Sequence, residues 1–190
     1  MSPADLLAPT YRHMLTALSA WLKKAEAQMP DKAENLLLAQ LAPDMFPLST
    51  QIRFACVQAL EGIYRIADEA FPPLVDALLQ EGRDARTNPG SLADARGRIE
   101  ETLAILGEWT KSQEGQARSD RSIAHTLPNG MIFDLSVDQY SRDWAIGQFY
   151  FHVMAAYAIL RNQGVTLGKA DYVAHMFPYL RPGTLPEGMG

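Results

Sequence analysis

His152 is the residue whose surroundings first suggest chemistry. It lies within an almost entirely apolar run, FYFHVMAAYAIL, where its ring nitrogens require hydrogen-bond partners. Gln148 precedes it by four positions, so in a helix the two side chains lie on the same face. Two interpretations are open at this point. The histidine is either a core residue bonded to a side chain or carbonyl, or part of a functional pocket.

Cys56 is the only cysteine in the chain. A disulfide within the chain and a zinc site built from cysteines both need several thiols, so the sequence excludes them. Its neighbours Ile52, Ala59, Leu60 and Ile63 are apolar. They predict a buried, inert thiol rather than a nucleophile.

The other histidines and the paired acids offer weaker signals. His13 is predicted on the first helix as a boundary or solvent-facing residue. His125 is predicted in a hairpin and His175 in the tail, so neither has helical spacing to another ligand. The pairs Asp68-Glu69 and Glu100-Glu101 are adjacent in sequence, so a helix turns their side chains about 100° apart. We interpret these acids as parts of solvated helix faces.

Composition excludes several classes of protein. Of the 190 residues, 47% are hydrophobic and 21% are charged, which argues against disorder and against a membrane protein. Lys and Arg number 17 against 22 Asp and Glu, so a basic nucleic-acid surface is not expected. The start of the chain does not resemble a secretory signal, and we expect a cytoplasmic protein.

Four long helices are predicted from apolar residues recurring every three or four positions. The first is capped by Ser2, the second runs over residues 48–67, the third begins at Ser91, and the last begins at Ser136 and ends near Asn162. A short apolar turn at 74–79 and a loop at 81–90 separate the second and third helices. Apolar residues almost encircle the last helix, which predicts burial on most sides.

A β-hairpin is predicted before the last helix. Alternating apolar residues flank Pro128-Asn129-Gly130, and an Asn-Gly pair favours a tight turn between two strands. The expected architecture is all-α: a four-helix bundle with a small β-hairpin before the last long helix. We expect a single domain over residues 1–172 and an extended C-terminal tail over residues 173–190.

Three strings in the sequence resemble a bacterial family of unknown function. They are LAPDMFPLSTQIRFAC, FYFHVMAAYAILRNQGV and LGKADY, which are similar to the family's LAPDMFPL…Q…AC, FYFH…AYAILR..GV and LGK.DY motifs. The resemblance covers residues from about Leu6 to Tyr172. The family's fold is similar to that of the DinB/YfiT-like four-helix bundles, so the resemblance implies this fold.

The resemblance also implies where a site would lie. The wider superfamily carries a metal on three histidines, one on the second helix and two as HxxxH on the last. His152 matches the final histidine, Gln148 occupies the position of its HxxxH partner, and Gln51 best matches the second-helix position. Two imidazoles are thus replaced by amides, which are weaker ligands for zinc or nickel.

Three functions follow from these observations. The first is a small-molecule-binding pocket between helices, with His152 as polar anchor or base and Gln51 and Gln148 orienting the ligand. The second is a divalent-metal-dependent transferase or hydrolase similar to DinB-like enzymes, with zinc or nickel held at His152. The third is a non-catalytic structural protein that forms a homodimer through its apolar last helix.

Overall fold

The computed structural model describes residues 2–112 and 121–184, which form a mainly helical structure with one hairpin. The α-helices are α1 (Pro3–Gln28), α2 (Leu48–Ala67), α3 (Pro73–Asp84), α4 (Leu92–Ser112), α5 (Val137–Gln139), α6 (Ile146–Asn162) and α7 (Lys169–Tyr172). The strands are β1 (Ser122–Thr126) and β2 (Ile132–Ser136). Turns of 3-10 helix cover Ala33–Leu38 and Ala174–Tyr179, and Tyr140–Ala145 is π-helical.

Capping side chains define the starts of three helices. The Ser2 hydroxyl accepts a hydrogen bond from the backbone N–H of Asp5, and the Asp5 carboxylate accepts one from the N–H of Ser2. Ser136 and Gln139 form the same reciprocal pair before α5. Ser91 and Asp94 do so before α4. These pairs satisfy N–H groups that have no acceptor inside the helix.

The segment between the second and fourth helices differs from the sequence prediction. Instead of a short turn at 74–79 and a loop from 81, α3 continues to Asp84. Pro73 occupies its first position, where the missing N–H costs no helical hydrogen bond. Glu81 therefore lies on a helix that packs against α2.

The last helix is continuous from Val137 to Asn162 but contains the π-helical turn at Tyr140–Ala145. A π turn widens the helix locally by one residue, which rotates the side chains on either side relative to each other. The ring centroid of Trp144 lies 4.6 Å from that of His125 on β1. This contact joins the hairpin to the π turn.

The four long helices pack as a bundle with α2 in contact with α1, α4 and α6. An ion pair between Glu26 near the end of α1 and Arg96 near the start of α4 shows that these helices are antiparallel. One continuous cluster of buried apolar side chains fills the space between them. The all-α bundle with a small antiparallel hairpin is thus confirmed.

The last helix is less enclosed than its sequence predicts. Phe151 is 58% exposed and Met154 is 40% exposed, so the described residues leave part of one face of α6 uncovered. The segment after residue 172, expected to be extended, forms a 3-10 helix at Ala174–Tyr179. Residues 185–190 lie outside the described part. Among the described residues, no helix is long and apolar enough to cross a membrane.

Candidate functional site

His152 and Gln51 meet between α6 and α2. His152 is 7% exposed and Gln51 is 1% exposed. The Nδ1 atom of His152 lies 2.9 Å from Oε1 of Gln51, which is a hydrogen bond between residues 101 positions apart in the chain. The structure therefore brings together two of the three residues that the sequence analysis assigned to a site.

The orientation of the Gln51 amide fixes the tautomer of His152. Nε2 of Gln51 donates a hydrogen bond to the backbone carbonyl oxygen of Phe46 over 3.2 Å. A carbonyl oxygen can only accept, so the amide nitrogen faces Phe46 and the amide oxygen faces the imidazole. That oxygen also only accepts, so Nδ1 of His152 carries the proton. The lone pair of the ring is left on Nε2.

Burial keeps this imidazole neutral. It lowers the pKa of His152 from its ordinary value of 6.5 to about 4, because a low-dielectric environment disfavours the charged form. At neutral pH, Nε2 is consequently an uncharged hydrogen-bond acceptor.

Aromatic rings surround His152. Phe54 and Phe151 meet its ring edge-on, with centroids 5.5 Å and 5.3 Å away, and Phe46 packs edge-on against Phe54. Phe46 is 47% exposed, and Phe151 is exposed as well. The surface next to the imidazole is therefore apolar and aromatic.

Gln148 lies one turn before His152 on α6 and is half-buried. Its side chain makes no hydrogen bond to any residue of the described part, in contrast to that of Gln51. Its participation in a site therefore stays a prediction.

A family model described as Domain of unknown function (DUF1993) matches residues 4–173, which is most of the chain. The chain belongs to the DUF1993 family. No protein of curated function shows significant sequence similarity to it.

A solved structure is similar to the DUF1993 chain over almost its whole length. It is the crystal structure of a DinB family member protein from Shewanella denitrificans. The two share 28% sequence identity, with a TM-score of 0.72, and the match covers 96% of this chain and 95% of that one. The DUF1993 chain thus has a DinB-like fold.

The metal site implied by the resemblance does not fit the residues present. His152 supplies the one imidazole of the set, and Oε1 of Gln51 accepts the Nδ1 proton of His152, so that oxygen is engaged within the protein. Nowhere in residues 2–112 and 121–184 do three His, Cys, Asp or Glu side chains group in a way that could hold a metal. Zinc sites ordinarily use three or four strong ligands. We derive no step through a metal.

The remaining candidates lie away from this pair. Cys56 is fully buried, as predicted, and burial raises the pKa of its thiol to about 12; its low reactivity stays a prediction. His125 is buried among aromatic rings. His13 and His175 stack with ring centroids 5.0 Å apart, a contact that sequence spacing did not indicate.

Proposed function

We propose that this protein binds a small organic molecule at the surface beside His152. The observation that carries the proposal is the hydrogen-bond chain from the Phe46 carbonyl through Gln51 to His152. It holds a neutral imidazole in one orientation and one tautomer, with Nε2 left to accept a hydrogen bond. Fixing a polar group in advance lowers the entropy lost when a ligand binds.

The surroundings of Nε2 indicate what such a ligand looks like. It carries an O–H or N–H donor for Nε2 and an apolar, preferably aromatic, part that covers the rings of Phe46, Phe54 and Phe151. Aromatic rings favour edge-to-face and offset contacts of this kind. A neutral imidazole gives no charge attraction, so the donor and the apolar part determine recognition.

His152 serves as an anchor in this proposal rather than as a general base. A general base is most effective when its pKa lies near the working pH, and the pKa of His152 lies near 4. A binding function therefore agrees better with the electrostatics of the site than a proton-transfer reaction does.

Phenol is a suitable probe because it combines one O–H donor with one aromatic ring. Anisole has the same ring without the donor and serves as the ligand control. We expect phenol, and not anisole, to shift the NMR signals of the His152 ring and of neighbouring backbone amides. Equal binding of the two compounds, or binding of neither, would contradict the proposal.

The matching protein variant is His152→Asn. The Asn amide nitrogen occupies nearly the position of Nδ1 and can still donate to Gln51, but no acceptor replaces Nε2. We expect this variant to lose phenol binding while His175→Asn, which changes a histidine near the C-terminus, retains it. Phenol binding to both variants with unchanged affinity would place the site elsewhere.

A metal-dependent transferase or hydrolase is less well supported, because the donor set contains one imidazole and two amides. Zinc or nickel titrated into tag-free protein tests this alternative by isothermal calorimetry. We expect no difference in metal affinity between the wild-type protein and His152→Asn. Near-stoichiometric binding that disappears in the variant would restore the metal-dependent alternative.

Homodimerisation is the remaining alternative function, and it is favoured by the apolar surface that Phe151 and Met154 expose on α6. Contiguous exposed apolar surface often marks an interface. Sedimentation velocity over a range of concentrations tests it, with Phe151→Ser as the variant expected to shift a dimer to monomer. A monomer at all concentrations would remove this candidate.

A further inference from the structure

A second cleft lies between α2, α3 and the start of α4, and its volume is about 550 Å³. Arg53 of α2, Glu81 of α3, Gly90 of the connecting loop, and Asp94, Gly97 and Arg98 of α4 are among its lining residues. Its size is within the range typical of small-molecule sites, about 300–1,000 Å³. Neither His152 nor Gln51 belongs to it.

Arg53 forms the floor of this cleft and is only 3% exposed. Its Nη1 donates a hydrogen bond to the hydroxyl of Ser49 over 2.8 Å, and its Nε donates to Glu81 over 3.3 Å. Nη2 makes no hydrogen bond to any of the described residues. Its two N–H groups are therefore available to an acceptor that enters the cleft.

Two glycines keep the cleft open. Gly90 adopts the left-handed conformation at φ +70°, and a Cβ at this position would lie 2.9 Å from Nη2 of Arg53. At Gly97 a Cβ would meet no atom within 4 Å. Glycine at position 90 thus leaves space next to the guanidinium, and glycine at position 97 leaves another part of the cleft lining without a side chain.

The carboxylates around the cleft differ in their partners. Glu81 accepts hydrogen bonds from Arg53 and Arg98, and Glu101 accepts one from Arg98. Asp94 has no cationic partner in direct contact. Its Oδ2 accepts from the N–H and the hydroxyl of Ser91, and its Oδ1 has no donor in the described part of the chain.

Arg53 and Asp94 face the same space. The point where a Cβ of residue 90 would lie is 2.9 Å from Nη2 of Arg53 and 3.4 Å from Oδ2 of Asp94. The Nη2 group of Arg53, which bonds to none of the described residues, and the exposed carboxylate of Asp94 thus flank a single opening of the cleft.

We propose that this cleft binds a small zwitterion of the α-amino-acid class, with its carboxylate on Nη2 of Arg53 and its ammonium group on Asp94. A simple anion would meet the repulsion of Glu81, Asp94 and Glu101. A simple cation would leave Nη2 of Arg53 without an acceptor. A ligand that carries both charges satisfies both groups and adds no net charge to the cleft.

The common L-amino acids are the probes, each titrated separately into the full chain while the backbone amide signals of Gly90 and Gly97 are followed by NMR. For the tightest binder, the N-acetyl derivative removes the ammonium charge and the amino-acid amide removes the carboxylate. We expect both derivatives to bind at least about tenfold more weakly. Absence of any binder, or a derivative that binds as well as its parent, would overturn the proposal.

Gly97→Leu tests the location without disturbing the fold, because a side chain at this position extends into the open cleft. Gly107→Leu is the matched control: it lies on the same helix, its Cβ would also meet no atom within 4 Å, and it is outside the cleft. We expect Gly97→Leu to abolish binding and Gly107→Leu to retain it, with equal helical circular dichroism. Retained binding in both variants would overturn the assignment to this cleft.

Discussion

His152 should make the stability of the folded protein depend on pH. Its pKa is about 4 in the folded state against an ordinary value of 6.5, so the unfolded chain takes up this proton first as the pH falls. The contribution of neutral His152 to the free energy of unfolding is therefore complete above pH 6.5, and it is lost as the pH falls from 6.5 towards 4. A lowered histidine pKa thus destabilises the folded state in acid.

The size of this effect follows from the shift in pKa. Each pKa unit corresponds to about 1.4 kcal/mol, so the full contribution of His152 is about 3 kcal/mol. Between about pH 7.5 and pH 5 the linkage relation gives a loss of about 2 kcal/mol from this residue alone. Carboxylates and the other histidines add their own pH dependence, which a variant must separate from that of His152.

His152→Asn provides that separation, because its amide can donate to Gln51 and does not titrate. Urea unfolding at the two pH values gives the free energy of unfolding for both proteins. We expect the wild-type protein to lose about 2 kcal/mol more than the variant when the pH is lowered. Asn and His also differ in helix propensity, but this difference changes the free energy of unfolding equally at both pH values. It therefore cancels when the losses of the two proteins are compared.

Parallel losses of stability in the two proteins would refute the reasoning, since they would mean that His152 titrates alike in the folded and unfolded states. An independent measurement is the NMR titration of the His152 ring, which should have its midpoint near 4. A midpoint near 6.5 would equally show that burial does not hold the imidazole neutral.

Three further predictions concern packing and reactivity. Gln51→Leu should cost about 1–3 kcal/mol in urea unfolding because it leaves a buried N–H without an acceptor, whereas Gln148→Leu should change stability by less than about 0.5 kcal/mol. Gly62→Ala should destabilise the folded protein by about 1–3 kcal/mol, because a Cβ there would overlap the side chain of Tyr11. Gly107→Ala should instead stabilise its helix by up to about 1 kcal/mol. Stabilisation by both variants would contradict the close contact between Gly62 and Tyr11. Cys56 should resist a thiol reagent in the folded protein and react at once in urea, and rapid reaction without urea would contradict its burial.

Local features of the chain were predictable because each depends on neighbours within one turn. The reciprocal pair of Ser136 and Gln139 satisfies the first N–H groups of a helix, whatever that helix packs against. The Asn129-Gly130 turn likewise depends on local backbone preferences. The sequence strings also sufficed to place the chain near a family of DinB-like fold.

The extent of α3 and the exposed face of α6 were not predictable in this way. Glu81 and Arg83 lie in a polar stretch that resembles a loop, yet contacts with α2 keep the segment helical to Asp84. Tertiary packing routinely overrides weak local preferences of this kind. Phe151 belongs to an apolar run, but none of the elements in residues 2–112 and 121–184 covers it.

The sequence by itself indicated the bundle, its main helix starts and the candidates His152 and Gln148, and its resemblance to a family added Gln51. Only the tertiary structure decided that Gln51 bonds directly to Nδ1 of His152 and that Nη2 of Arg53, which bonds to none of the described residues, lies at a cleft. Whether two side chains that are distant in sequence meet and form a hydrogen bond depends on how their two helices are rotated against each other. That rotation is set by the packing of the whole core rather than by local sequence.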